Sequence, residues 1–256
     1  MIRLKTKEDI EILREGGKRL AFILNEIAKI VKPGISIDEL NNLAYKLAKE
    51  KGDIPSTLNY KPKGARRAYP ASICVSINDE VVHGIPNENP KILKEGDIVS
   101  LDMCLTHKGL VTDSAITVPV GKIDSVSKKL IEATKEALYA GIKSAKGNRN
   151  IGDIGYAVER VAKSNGFVVV EDLCGHGVGY GVHEDPYIPN YGIRGKGDKL
   201  KPGMVIAIEP MLNSGDKNIF LDDDGYTYKT IDGSRSAHFE HTILITSGDP
   251  EILTKI

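Results

Sequence analysis

The chain repeats itself at low similarity, and this internal repeat constrains its fold more than any single motif does. Lys94–Asp102 aligns without gaps on Lys201–Glu209, and each copy is a Lys-x-Gly turn followed by an apolar strand that ends in an acid. A helical segment, Ile37–Gly52, aligns in the same way on Ile151–Gly166. Repeated units of this kind tend to pack about a pseudo-twofold axis, which brings equivalent residues together. The sequence therefore predicts a shared acidic site near that axis.

Length and composition fit one domain, residues 1–256, with pseudo-repeats of about 1–124 and 125–256. Basic and acidic residues number 35 each, so the formal net charge is zero and no specific nucleic-acid partner is expected. The N-terminus lacks an apolar signal core, and no apolar run approaches membrane-spanning length, so no membrane partner is expected. Cys74, Cys104 and Cys174 lack C-x-x-C spacing, which indicates reduced thiols in a cytoplasmic protein.

The first copy of the repeat continues into a predicted β-hairpin. Ile98–Leu105 and Leu110–Val118 are apolar segments separated by turn-forming residues. With a two-residue turn that begins at His107, Asp102 and Asp113 would face each other with their Cβ atoms roughly 4.5–5.5 Å apart. Like charges at that separation destabilise a sheet unless a cation lies between them. A divalent metal ion is the simplest such cation.

Periodicity and capping signals predict four helices and several further strands. Thr6 and Ser36 are expected to cap the first two helices, and the other two are expected to begin at Ser125 and Ile151. The four helices are expected to end near Pro33, Gly52, Gly147 and Asn165. The other strands are expected at Ile73–Ile77, Val81–Val82, Phe167–Val170, Met204–Ile208 and Ala237–Thr246, with a glycine-rich loop at Cys174–Pro186.

Four acids lie on predicted apolar strands: Asp102, Asp113, Glu209 and Glu240. Their four negative charges would be balanced by two divalent cations, and without cations the cluster would have to bind protons. His176 is the expected imidazole ligand, because its flanking glycines allow close backbone approach. Oxygen-rich sites with one imidazole suit Mn, Fe, Co or Zn. Two metals about 3.5–4 Å apart are typical of aminopeptidases and phosphatases.

The remaining histidines differ in expected role. His107 lies in the predicted turn, where a solvated side chain is expected. His83 and His183 lie on loops at strand ends, and beside a metal site both are expected to contact substrate. His241 points to the opposite strand face from the acid that precedes it, so a structural role is expected. The role of His238 stays open.

The ordered set of four acids and His176 resembles the metal ligands of the pita-bread metallopeptidases. The local motifs are similar to those of type I methionine aminopeptidases, and the match covers nearly the whole chain. These motifs are S-I-C-V-S-I-N-D-E-V-V-H-G-I-P, L-D-M-C, V-T-D-S-A, G-H-G-V-G-Y-G-V-H-E-D-P, I-E-P-M and F-E-H-T. The resemblance implies an α+β pita-bread fold with a single catalytic domain. Two pseudo-twofold-related halves would surround a central antiparallel sheet, with helices outside.

The resemblance also implies a reaction and a ligand scheme. The reaction is metal-dependent removal of the N-terminal methionine from peptides and nascent proteins, preferentially when the second residue is small. Two divalent ions (Co, Mn, Fe or Zn) would be bound by Asp102, Asp113, His176, Glu209 and Glu240, with Asp113 and Glu240 bridging. The nucleophile would be a water shared by both ions. A cytoplasmic monomer with transient ribosome contact is expected.

Five residues receive further roles from the resemblance. Glu209 would shuttle the proton of the attacking water. His183 would hydrogen-bond the scissile peptide and its developing oxyanion. His83 would contact the substrate and assist the leaving amine. Tyr69 and Cys74 match positions that line the methionine pocket.

The chain departs from the family pattern around that pocket. Tyr226 occupies a position where many relatives carry tryptophan, which this chain lacks. Val182 is smaller than the aromatic residue that relatives often carry at its position. The segment Asn59–Ala68 is longer and more basic than the corresponding segment of the bacterial pattern. Two alternatives share the fold. One is a proline-specific peptidase, against which the length and the Cys74 segment argue. The other is a non-catalytic protein that binds peptides or ribosomal RNA, against which the complete ligand set argues.

Overall fold

Four helices form where the sequence supplies capping residues. The computed structural model describes residues 2–255 and contains α1 (Lys7–Ile30), α2 (Ile37–Glu50), α3 (Ser125–Ser144) and α4 (Ile151–Ser164). At the start of α1, the Thr6 hydroxyl accepts a hydrogen bond from the Asp9 amide, and the Asp9 carboxylate accepts one from the Thr6 amide. This reciprocal capping box satisfies two amides that a helix end leaves without partners. The predicted helix starts are confirmed, and α3 ends three residues earlier than expected.

Fifteen strands are present in the described residues. In chain order they are β1 (Ile54–Pro55), β2 (Cys74–Ile77), β3 (Glu80–Val82), β4 (Ile98–His107), β5 (Leu110–Pro119), β6 (Val168–Val169), β7 (Cys174–Gly177), β8 (Glu184–Pro189), β9 (Val205–Ile208), β10 (Met211–Asn213), β11 (Ile219–Leu221), β12 (Tyr228–Thr230), β13 (Ser236–His238), β14 (Glu240–Leu244) and β15 (Glu251–Ile252).

A nine-stranded antiparallel sheet organises the molecule. Its order is β1-β4-β5-β14-β9-β7-β8, with β2 also paired to β4 and β15 to β14. Strands from the first half of the chain therefore lie on one side, strands from the second half lie on the other, and the halves meet where β5 pairs with β14. Two small sheets, β13-β10-β6 and β11-β12-β3, complete the fold. The described residues contain no helix long and apolar enough to span a membrane.

Equivalent strands of the repeat bury equivalent faces under a helix pair. Val99 and Leu101 of β4 pack in one core with α1 and α2. Ile206 and Ile208 of β9, which align with them in the repeat, pack in a second core with α3 and α4. Because side chains alternate along a strand, the acids at the ends of both repeats, Asp102 and Glu209, do not share these helix-covered faces.

The hairpin register differs from the expected one. Asp102 pairs with Ala115, and Asp113 pairs with Cys104, so the direct pairing of the two aspartates is wrong. The turn lies one residue further along the chain, at Lys108 and Gly109, both of which have positive φ. Two consecutive positive φ angles are typical of the tight turns whose twist matches that of a hairpin, and glycine adopts them without strain. The two aspartates are diagonal neighbours on the same face.

The displaced turn also changes the environment of His107. This residue is the last of β4, is 5% exposed, and its Nδ1 lies 2.7 Å from Asp53 Oδ1, so the expectation of a solvated turn residue is wrong. Gly16 of α1 lies directly over it, where an added Cβ would be 3.1 Å from the His107 Cβ. The imidazole is therefore enclosed between the sheet and α1.

Two further expectations about strands need correction. The predicted loop at Cys174–Pro186 contains a strand at each end, β7 and β8, and only residues 178–183 remain between them. The predicted strand Ala237–Thr246 is interrupted at Phe239, so that β13 and β14 belong to different sheets. Both deviations arise from pairing with distant strands, which local propensity does not encode.

Candidate metal centre

Five neighbouring strands of the large sheet each bring one candidate ligand to its centre. In spatial order these are Asp102 on β4, Asp113 on β5, Glu240 on β14, Glu209 directly after β9, and His176 on β7. The sequence predicted these residue types but placed His176 on a loop. A position on a strand of the sheet fixes the imidazole more rigidly than a loop would.

Strand register explains why these side chains converge. Asp102 and Glu240 both pair with Ala115, one from each side, so the three residues form a row across the sheet. In the same way His176 pairs with Ala207, two residues before Glu209. The two buried alanines place only a methyl group between larger polar side chains. They therefore leave space into which the donor atoms can point.

The donor atoms lie close together, and two of the described carboxylate oxygens lack hydrogen-bond partners. Atoms of Asp113, His176 and Glu240 all lie within 4.8 Å of one another. His176 Nε2 is 3.3 Å from Glu209 Oε1 and 3.8 Å from Asp113 Oδ2. Among residues 2–255, the buried atoms Asp113 Oδ1 and Glu240 Oε1 have no hydrogen-bond partner. Buried polar atoms without partners are costly, so something else must satisfy them.

The tautomer of His176 adds a further acceptor that needs a cation or a proton as its partner. Its Nδ1 lies 2.9 Å from the carbonyl oxygen of Gly177, which can only accept, so Nδ1 carries the proton. Neutral imidazole then presents a lone pair at Nε2, and this lone pair faces the carboxylate oxygens of Glu209 and Asp113. Acceptors that face acceptors require a cation or a proton between them. This hydrogen-bonding pattern is typical of metal-binding histidines.

The acid–base properties of the cluster agree with this geometry. Loss of hydration raises the pKa of Asp113 to about 6. The same effect, followed by the negative charge of Asp113, raises the pKa values of Asp102, Glu209 and Glu240 well above their usual range. Burial lowers the pKa of His176 to about 3, so the imidazole is neutral at physiological pH. Without metal, the carboxyl groups of the cluster therefore bind protons, and divalent cations would displace these protons. Four clustered carboxyl groups, two of them with an unsatisfied buried oxygen, and one oriented lone pair fit divalent metal ions.

The predicted substrate-contacting histidines lie beside this cluster. The ring of His183 is 4.4 Å from the ring of His176, measured between centroids, and perpendicular to it. His183 Nδ1 lies 2.8 Å from the Tyr60 hydroxyl. Burial, followed by the charge of His183, lowers the pKa of His83 to about 4, and burial also lowers that of His183. Both imidazoles are therefore neutral at physiological pH.

An apolar cluster adjoins the acids on the first-half side. Cys74 pairs with Asp102 across β2 and β4. The Tyr69 ring meets the Tyr226 ring edge-on at 5.1 Å, and its hydroxyl donates to the Gly84 carbonyl at 2.7 Å. Tyr69, Ala71, Cys74, Ile85 and Tyr226 form one buried cluster. Burial raises the pKa of the Cys74 thiol well above its usual value, so Cys74 is a neutral side chain within this buried cluster.

The sequence did not reveal two residues of the site. Tyr60 contacts His183 across more than a hundred residues, and no local pattern signals such a pair. His238, whose role the sequence left open, is buried with Nε2 3.7 Å from Glu209 Oε2. Its backbone is held by Thr117, whose hydroxyl accepts from its amide and donates to its carbonyl. His241 lies on the other face and contacts Thr254, as strand alternation predicted.

Known proteins resemble this chain over its whole length. The sequence matches Metallopeptidase family M24 over residues 11–247. It is 44% identical over 256 residues to methionine aminopeptidase 1 of Bacillus subtilis, covering 100% of both proteins. It is 46% identical over 257 aligned residues to the methionine aminopeptidase of Aquifex aeolicus, covering 100% of this chain and 99% of that protein.

Solved structures agree with the sequence matches. The methionine aminopeptidase from Thermotoga maritima superposes with a TM-score of 0.95 at 43% identity and covers 100% of both chains. An Xaa-Pro dipeptidase from Bacillus anthracis superposes with a TM-score of 0.74 at 22% identity, covering 99% of this chain and 62% of that one. The second match shows a shared fold and no more. The predicted α+β pita-bread fold is confirmed.

Proposed function

Because the chain belongs to metallopeptidase family M24, we propose that its acidic cluster is the active site of a methionyl aminopeptidase. The reaction is hydrolytic removal of the N-terminal methionine from peptides and nascent proteins, with preference for a small second residue. The observation that carries this proposal is the convergence of five donor residues from five neighbouring strands, with buried oxygens that lack partners. Full-length similarity to methionine aminopeptidases supports the choice of substrate.

The proposed metal ligands are Asp102, Asp113, His176, Glu209 and Glu240. Asp113 and Glu240, which lie on the two central strands where the halves meet, are the proposed bridging ligands. Co, Mn, Fe and Zn all suit this ligand set. When bound, two such cations would lower the pKa of a shared water and polarise the scissile carbonyl.

Protein groups around the cluster supply the proton transfers. Glu209 lies at the edge of the cluster with its side chain 14% exposed, so its carboxylate can accept a proton from water and pass it to the leaving amine. We assign the Tyr60 hydroxyl, 2.8 Å from His183 Nδ1, as the donor of this hydrogen bond. This assignment leaves the imidazole proton on Nε2, from which His183 can donate to the developing oxyanion. His83, neutral and next to His183, contacts the substrate and assists the leaving amine.

The apolar cluster beside Asp102 is the proposed methionine pocket. Tyr69 and Cys74 form its walls together with Tyr226, and all three are buried. Aromatic edges and a thiol suit the polarisable thioether of methionine. The position of this pocket beside one ligand would place the first peptide bond at the metals, which explains removal of a single residue.

The remaining proposals concern organisation and cellular context. Residues 1–256 form a single catalytic domain whose pseudo-repeats are about 1–124 and 125–256, supported by the equivalent positions of Asp102 and Glu209. The protein acts as a monomer in the cytoplasm, where nascent chains are available, with transient ribosome contact. Its partners are therefore peptides with N-terminal methionine and no specific nucleic acid.

The test is release of free methionine from Met-Ala-Ser by chelator-stripped protein as Mn, Co, Fe or Zn is titrated back. Activity should rise only with metal and only on peptides that begin with methionine. An Ala-Pro peptide is the matched control for a proline-specific activity. If two metal ions bind and no methionine is released, the proposed function is wrong. Hydrolysis of Ala-Pro would then identify a proline-specific peptidase.

A further inference from the structure

A cleft with a volume of about 410 Å³ lies between α3 and α4, and none of the proposed catalytic residues lines it. It remains open because Ala140 of α3 and Ala157 of α4 contribute only methyl groups to its lining. Its volume is within the range of small-ligand sites, about 300–1,000 Å³. Half of its ten lining residues are cationic: Lys143, Lys146, Arg149, Arg160 and Arg194.

Most of these cations are not neutralised by the protein. Only Lys146 has an ion-pair partner among residues 2–255, the exposed Asp249 at 2.6 Å. Asp153, the one acid that lines the cleft, is already engaged, because its carboxylate accepts hydrogen bonds from the amides of Asn150 and Gly195. Basic and acidic residues are equal in number over the whole chain, so the positive charge of the cleft is a local excess.

The fold explains only part of this excess. Lys143 lies in the last turn of α3, where the helix dipole favours a cation. Arg194 lies with its guanidinium 4.5 Å from the centroid of the Tyr156 ring, which orients the group at the cleft. Arg149 lies in the α3–α4 connection and Arg160 lies before the last turn of α4, so neither compensates a helix terminus. Repulsion among these cations would fall if an anion lay between them.

We propose that this cleft binds the phosphate groups of a ligand that presents at least two of them. Guanidinium groups match phosphate oxygens with paired hydrogen bonds, and three arginines around one cleft favour phosphate over a single carboxylate. A free oligophosphate and the backbone of single-stranded RNA present the same chemistry. The site is independent of the proposed aminopeptidase activity, because it shares no residue with the metal centre.

The test is calorimetric titration of the full chain with inorganic pyrophosphate and, separately, with a ten-nucleotide single-stranded RNA at 150 mM NaCl. At least one probe should bind with saturation. Arg149→Gln/Arg160→Gln should weaken that binding at least tenfold, because one charge-assisted hydrogen bond is worth about a factor of ten in affinity. The control Lys18→Gln/Lys46→Gln removes the same charge from exposed positions on α1 and α2 and should leave the affinity unchanged.

The outcomes separate the two ligand sources. Saturable binding of pyrophosphate identifies a free oligophosphate as sufficient, whereas binding of RNA alone identifies a nucleic-acid strand. Absence of saturable binding by both probes, or equal weakening by both double variants, overturns the proposal. The double arginine variant should also release methionine from Met-Ala-Ser at the wild-type rate. Because phosphate binding is measured separately from peptide hydrolysis, the binding result can be interpreted even if the aminopeptidase proposal is wrong.

Discussion

Replacement of Asp113 by asparagine should stabilise the metal-free protein at neutral pH, although it removes a proposed bridging ligand. Asp113 is 4% exposed, and burial raises its pKa from 3.8 to about 6. Since one pKa unit corresponds to 1.36 kcal/mol, ionisation of this carboxyl in the folded metal-free protein costs about 3 kcal/mol. Asparagine has nearly the same shape and cannot ionise, so the variant avoids this cost.

The sign of the pH dependence follows from proton linkage. Between about pH 4 and pH 6 the folded protein retains the Asp113 proton that the unfolded chain releases, so the free energy of unfolding falls as the pH rises through this window. Burial lowers the pKa values of His83, His176, His238 and His241, which makes stability rise with pH below about 6.5. To a first approximation these histidine contributions are common to both proteins and cancel in the difference between them.

The measurement is urea unfolding of both proteins in excess chelator at pH values from 4 to 8. The free energy of unfolding of Asp113→Asn minus that of wild type should increase by about 3 kcal/mol over this range, or roughly 6–12 °C in Tm. Saturating Mn should reverse the order at pH 7, because wild type then gains binding energy. Asp223→Asn, at an exposed position, controls for the loss of one charge. A difference that does not change with pH would refute the reasoning.

Three further substitutions test individual contacts. Glu209→Gln should reduce kcat on Met-Ala-Ser by a factor of about 10²–10⁴, the usual range for loss of a general acid–base, and an unchanged kcat would exclude it as proton shuttle. His183→Ala should retain both metals in elemental analysis and lose about 10²–10³ in kcat, whereas loss of metal would make His183 a ligand. Lys5→Met removes the partner of Glu184, a pair 2.8 Å apart in which the lysine side chain is 1% exposed. The free energy of unfolding should fall by about 3–5 kcal/mol, and a smaller loss would show that the pair is hydrated.

Local signals account for what the sequence predicted well. A capping box is complete within four residues, so Thr6 and Asp9 predict the start of α1 without knowledge of the remaining fold. The sequence also placed acids on apolar strands, because a charged residue inside an apolar strand conflicts with burial unless it is paired or ligated. The repeat predicted that Asp102 and Glu209 lie near each other, and the structure places them on or directly after the strands that flank those of Asp113 and Glu240.

Features that depend on distant contacts were not predictable in the same way. The environment of His107 is set by Asp53 and by Gly16 of α1, and neither is a neighbour in sequence. The interruption of the last long strand at Phe239 depends on β13 and β14 joining different sheets. Likewise, the contact of Tyr60 with His183 depends on how a long basic loop returns to the sheet. Such pairs are fixed by tertiary packing, for which one sequence carries no direct signal.

The hairpin shows why a wrong register still led to the correct set of residues. Its actual register differs from the expected one by two residues along the partner strand, which is one full period of side-chain alternation. A shift of two changes the residue opposite Asp102 from Asp113 to Ala115 and leaves both aspartates on the same face. A shift of one would have turned Asp113 toward α1 and α2, into the core that Leu101 and Met103 occupy. The face of a strand is therefore a stronger prediction than the partner of any one residue, because burial of the opposite apolar face stabilises it.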